Sequence, residues 1–326
     1  MTTYKDIRGT HIKTVTSDPP APVNGQMWYN STTQVMKGLT SSPVGSWSTG
    51  GTLNSARGVS GGLGASQDAA LYIGGSQTVA SVEQYNGTSF TEVADLNTGR
   101  KGTTGTGTTT AGLACGGDTG PSGSGGPGVA NVESWNGSAW TEITDLNNAR
   151  QGSGGSGIST SSLIFGGYDG TRTANTEHWN GSSWTEMNNL AAGRSNPGGV
   201  GTAYNTALCF GGGTPSNTAN TESFDGTNWT EVNNLNTARA NVASAGDATA
   251  ALSIGGYSTA VVAIVELWDG TSWTETTDLS TGRYFMAGAG TTTAGLGMGG
   301  ETSTAAVTNN EEWTAPTTST VTFTAS

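Results

Sequence analysis

The chain has 326 residues, 33% of them hydrophobic and 11% charged, with a net charge of −12 and 53 glycines. So acidic a chain argues against binding nucleic acid or anionic membranes, which need clustered Lys and Arg. The glycine content alone would point to low complexity, but the 10 Trp recur at fixed offsets, a pattern in which each small unit buries an aromatic against its neighbours.

In chain order, residues 1–20 contain no basic start followed by an apolar run, and no apolar stretch anywhere is long enough to span a bilayer, so no classical export signal and no membrane insertion are expected. A Pro-rich break at residues 18–22 precedes GQMWYNSTTQVMKGL, which alternates around a polar turn and predicts a β-hairpin carrying Trp28 and Tyr29. Residues 45–57, GSWSTGGTLNSAR, match residues 182–194, SSWTEMNNLAAGR. Trp47 therefore belongs to the last strand of a repeat whose other strands lie far downstream.

From residue 57 onward one pattern occurs six times. It opens on Arg57, Arg100, Arg150, Arg194, Arg239 or Arg283, followed by a Gly/Thr/Ser-rich segment. A short apolar run then ends in Gly-Gly at 74, 116, 166, 211, 255 and 299, so the spacing is 42 to 50 residues. Next comes Glu83, Glu133, Glu177, Glu222, Glu266 or Glu311, with an aromatic two residues later: Tyr85, Trp135, Trp179, Phe224, Trp268 or Trp313. In five copies Asn-Gly or Asp-Gly leads to a second aromatic, a strong hairpin signal, because both turn residues need positive φ. The sixth copy lacks the second aromatic, so Trp47 is expected to pair beside Trp313 and close the ring, since an unclosed ring would expose two strand edges. Four short strands per unit at this period are what propeller blades require. The fold expected is all-β, a six-bladed β-propeller over residues 45–315, with an N-terminal arm over 1–44 and a C-terminal strand over 316–326. The tail TVTFTAS alternates and can add to a sheet edge of its own chain or a neighbour's.

The run Leu-x-x-Gly-Gly, Val/Thr-Glu-x-Trp/Tyr-Asn/Asp, Trp-Thr-Glu, Leu and Arg resembles the kelch repeat over about residues 45–315. Its connectors NNAR, NTAR and STGR resemble kelch-like structural and tail proteins of tailed bacteriophages, particularly marine ones. The Gly-x-x-Trp-Tyr-Asn start resembles phage fibre and tail proteins. That resemblance implies a virion component assembled in the host cytoplasm. Its N-terminal arm, with Trp28 and Tyr29, would dock to other virion proteins, and its propeller would meet a host surface receptor or a glycan as part of a homo-oligomer.

Catalysis has little to draw on. The only histidines are His11 and His178, too few for a metal cluster or a nucleophile triad. Because the Arg and Glu recur in all six copies, they are expected to be scaffold, as ion pairs or partners of loop carbonyls. The alternative for the arginines is a ring gathering an anionic ligand near the axis. WDGTSW at 268–273 and the Asn-Gly-Thr/Ser runs at 86 and 136 are expected to be hairpin turns, neither Asp boxes nor glycan acceptors. Cys115 and Cys209 lie in different repeats beside Gly-Gly pairs, which predicts buried free thiols. No catalytic residue, cofactor or metal is expected. Only the segment from Gly-Gly to Glu varies much in length, from 8 to 16 residues, and it shares a face with the Arg connectors. Outward contacts are therefore expected there, including Asp118, Tyr168, Thr214, Pro215 and Tyr257. The competing readings are a kelch-type enzyme, or a free-standing carbohydrate- or protein-binding propeller.

Overall fold

The computed structural model describes residues 12–20, 26–41, 45–121, 126–316 and 318–323. His11, residues 21–25, the loop segment 122–125 and the tail residues 324–326 lie outside them. All regular structure among the described residues is β, in seven four-stranded sheets and one two-stranded ribbon. The chain forms two compact units, Ser46–Thr314 and the paired ends Met1–Gly45 with Ala315–Ser326.

In Ser46–Thr314 there are six four-stranded antiparallel sheets. The third shows the plan: Gly154–Ile158, Ser161–Phe165, Thr176–Trp179 and Trp184–Met187, each paired with the next. Ser161–Phe165 is buried along nearly its whole length, as expected of a short apolar run covered on both faces. The run stops at Gly166 and Gly167, whose φ angles of +63° and +107° are costly for any residue with a Cβ. The Gly-rich first strands face the axis, and each touches the first strand of the next sheet in a closed cycle of six. At Gly199 an added Cβ would lie 2.6 Å from the amide nitrogen of Gly155, so this close approach requires glycine.

The ring closes through the sixth sheet. Ser46–Thr49 pairs antiparallel with Asn310–Thr314 and sets Trp47 opposite Trp313, with ring centroids 5.3 Å apart. The equivalent aromatic pairs in the first, second and third sheets lie 4.7, 5.2 and 5.3 Å apart, and those in the fourth and fifth 5.0 and 5.5 Å.

The turns between these aromatics correct one expectation. Asn136 does not take positive φ; only Gly137 does, at +94°. Trp135 and Trp140 pair directly, leaving a four-residue loop in which Asn136 Oδ1 accepts from Ser138 N–H and Ala139 N–H, both at 2.9 Å. Asn and Asp are used here as acceptors for loop amides; their tolerance of left-handed backbone is not needed.

The unit formed by the chain ends is one sheet in the order Lys13–Val15, Met27–Asn30, Val35–Ser41, Thr318–Phe323, with the first pair parallel. Of the two edges open to the tail strand, its own chain's and a neighbour's, it takes its own, as the fourth strand of the hairpin's sheet. Trp28 is fully buried, and its Nε1 donates to Asp18 Oδ1 at 3.0 Å. Asn30 Nδ2 donates to the same oxygen at 2.9 Å and Lys37 Nζ to Oδ2 at 2.6 Å. Together Lys37, Asn30 and Trp28 hold the Asp18 carboxyl down at about 2. Tyr29 is half-buried in the same strand.

Candidate functional site: the mouth of the axial cavity

The six arginines are spent on the fold. All are buried, as are the six glutamates, and each pairs with the Glu of its own repeat: Arg57 with Glu83 at 2.6 Å, Arg100 with Glu133 at 2.9 Å, Arg150 with Glu177 at 2.5 Å, Arg239 with Glu266 at 3.0 Å, Arg283 with Glu311 at 2.7 Å, and Arg194 with Glu222. Arg150 also donates to Gly166 O and Asn175 O, and Arg283 to Gly299 O and Asn309 O. The second oxygen of each Glu accepts from an amide in the connector arriving from the preceding sheet, such as Asn147 N–H to Glu177 Oε2 at 2.7 Å. Each Arg–Glu set is therefore a clasp between neighbouring sheets. Burial lowers the pKa of Arg100, Arg150, Arg239 and Arg283, with the adjacent glutamate opposing the shift. A guanidinium so held remains protonated and unavailable to a ligand.

Two residues beyond each Arg stands a second ring that sequence reasoning missed. Val59, Gly102, Gly152, Asn196, Asn241 and Phe285 all have left-handed φ, between +50° and +63°. Their amides and carbonyls form a closed circle. Gly102 N–H donates to Val59 O at 2.7 Å, Gly152 to Gly102 at 2.8 Å and Asn196 to Gly152 at 2.7 Å. Asn241 donates to Asn196 and Phe285 to Asn241, both at 3.0 Å, and Val59 returns to Phe285 at 3.1 Å. The only available signal was that this position varies from Gly to Phe while the Arg before it never changes.

These residues rim a cavity of about 90 Å³, lined also by Ser60, Thr103, Ser153, Pro197, Val242 and Met286. Below it an axial cavity of about 200 Å³ is lined by all six first strands and is mostly polar. The rim is uneven. Glycines 102 and 152 leave one side open, Asn196 and Asn241 make a second side polar, and Phe285 with Val59 makes the third apolar. Asn241 Oδ1 is buried without a hydrogen-bond partner.

The predicted outward residues divide. Tyr257 is 39% exposed, Pro215 is exposed, and Tyr168 and Thr214 are half-buried. Tyr168 bridges Gln151 and Arg172, and Thr214 Oγ1 donates to Ser216 O at 3.2 Å. Asp118 departs from its expected place. It is buried, ion-paired to Lys101 at 3.2 Å, and accepts from Gly120 N–H at 2.7 Å. Burial alone would raise its pKa, but the Gly120 amide and Lys101 outweigh that and lower it. Lys101 Nζ also donates to Gly120 O at 2.9 Å and Pro121 O at 2.8 Å, so the Asp118–Lys101 pair fixes the start of the longest loop.

Away from the mouth, His178 stacks on Tyr204 at 3.9 Å and 24°, and its Nε2 is 3.5 Å from Ser161 Oγ. Burial lowers its pKa. Cys115 and Cys209 are free and buried, and burial pushes both thiols up to about 12. Among the described residues no group of three or more His, Cys, Asp and Glu could hold a metal ion.

No family model matches the chain, and no curated protein does so. The solved structure of YjhT is similar with a TM-score of 0.68 at 13% identity, over 82% of this chain and 99% of that one. At that identity the likeness is one of fold. With the run of four-stranded sheets it supports a β-propeller.

Proposed function

We propose that the chain is a six-bladed, kelch-type propeller serving as a non-enzymatic virion component of a tailed phage, in a tail or surface appendage, and presenting its connector face to a binding partner. The observation that carries the reading is the second unit. Both chain ends leave the propeller and meet in a separate four-stranded sheet, which suits an anchor to other virion proteins and a homo-oligomeric assembly. The six buried Arg–Glu clasps favour a scaffold over an anionic-ligand ring, since their charges are already neutralised. The kelch and phage assignments rest on the repeat, the connectors and the Trp28-Tyr29 start. Antibody raised against the full chain should label purified particles of the encoding phage, and the chain should co-sediment with them. Recovery only from the soluble fraction of infected cells would overturn the reading.

A further inference from the structure

In a molecule that repeats its scaffold six times, departures from the repeat on the connector face mark what is not scaffold. The residue after each Arg is Gly58, Lys101, Gln151, Ser195, Ala240 or Tyr284. Only in the sixth repeat are this residue and the next both aromatic. Tyr284 lies 4.8 Å from Phe285 and 6.0 Å from Tyr257 by ring centroids. The three rings form a ledge from the exposed Tyr257 inward to Phe285 at the mouth. Phe285 holds φ +52°, a conformation costly for a bulky side chain and free for glycine. Glycine occupies the same place at 102 and 152, so the backbone does not need a ring there, and strain kept in this way points to use. Beside the ledge the Asn241 main-chain carbonyl accepts the Phe285 N–H, which fixes the backbone that carries the ring. On the other side Glu301 lies against Tyr284; burial first, then this carboxylate, raises the tyrosine pKa.

We propose that this ledge binds a neutral pyranose ring. The C–H face of the sugar would stack on Phe285 and Tyr284, and its hydroxyls would donate to the Glu301 carboxylate, which supplies acceptors only. Glu301 and the net charge of −12 select against sugar acids. The inference rests on the reading of the connector face as a binding face and names its ligand class.

The test is saturation-transfer NMR on the full-length chain with the methyl glycosides of glucose, galactose, mannose and N-acetylglucosamine, each at millimolar concentration. At least one should receive saturation from the protein aromatics. Phe285→Gly should weaken that binding tenfold or more without lowering Tm, because glycine adopts the left-handed backbone freely. Thr78→Gly, which relieves a left-handed residue at φ +55° away from the mouth, should keep the binding. Transfer to none of the four glycosides in the wild type, or full transfer in F285G, overturns the proposal. The assay uses the isolated chain, so absence of the protein from particles would overturn the virion reading and leave this result standing.

Discussion

Removing one clasp tests whether the Arg–Glu sets hold the sheets together. Arg150 and Glu177 are both fully buried. Arg150→Ala would leave the Glu177 carboxylate without its counter-charge, a loss of about 3–5 kcal/mol for a buried pair broken from one side. It would also remove the donor to Asn175 O at 2.8 Å, which keeps the Gly166 N–H at 3.0 Å, and the longer contact to Gly166 O at 3.3 Å; stranding the Gly166 carbonyl costs about 1–3 kcal/mol. Relaxation and water entry make these losses less than additive, and about 5 kcal/mol is the expected total. With an unfolding entropy near 0.56 kcal/mol/K for a unit as long as Ser46–Thr314, Tm should fall by about 9 °C in calorimetry. The double variant Arg150→Met/Glu177→Leu removes both charges but still strands the Gly166 carbonyl and the Asn147 amide, so it should recover about half of the loss. A fall of under about 2 °C for R150A, or a double variant at the wild-type Tm, would refute the reasoning.

Ring closure depends on Trp313, which is fully buried against Trp47; Trp313→Ala should cost about 3–5 kcal/mol and speed amide exchange in Ser46–Thr49 ahead of the other fourth strands. Asn310 is buried with neither side-chain polar atom bonded, and the repeat places Val82, Val132, Thr176, Thr221 and Val265 there. In two repeats the Thr accepts a Trp N–H from the next sheet, but the equivalent ring for Asn310 is Phe90, which has none. Asn310→Val should therefore raise stability by about 1–3 kcal/mol in guanidinium titration. Burial holds the folded pKa of His178 below its ordinary 6.5, so between those two values the unfolded chain binds the extra proton. Stability should fall as pH drops from 6.5 toward the folded pKa, and His178→Phe should flatten that part of the pH–Tm curve. Both thiols, raised by burial, should resist alkylation in the native state and react on denaturation, as counted by mass spectrometry.

Much of the architecture was legible before any coordinates. The Arg, Gly-Gly, Glu and paired aromatics are each required by a local physical need that recurs six times, and the missing aromatic after Trp313 with the surplus Trp47 indicated the closing strand. The turn chemistry was misread because Asn-Gly is compatible both with a two-residue turn and with a longer loop capped by the Asn carbonyl, and only the Trp135–Trp140 register distinguishes them. Asp118 was misplaced because loop length says nothing about whether a carboxylate faces solvent or Lys101.

Periodic burial and turn needs are written residue by residue, so the sequence by itself determined the strands, the repeat and the pairing of Trp47 with Trp313. Only the tertiary structure decided that the two chain ends share one sheet and that the residues after each Arg form a closed circle of amides. It also brought Tyr257, Tyr284 and Phe285 together with Asn241. These arrangements join residues distant in the chain, and no local preference of Val59 or Phe285 for left-handed backbone announces them; the circle of hydrogen bonds imposes that conformation from outside.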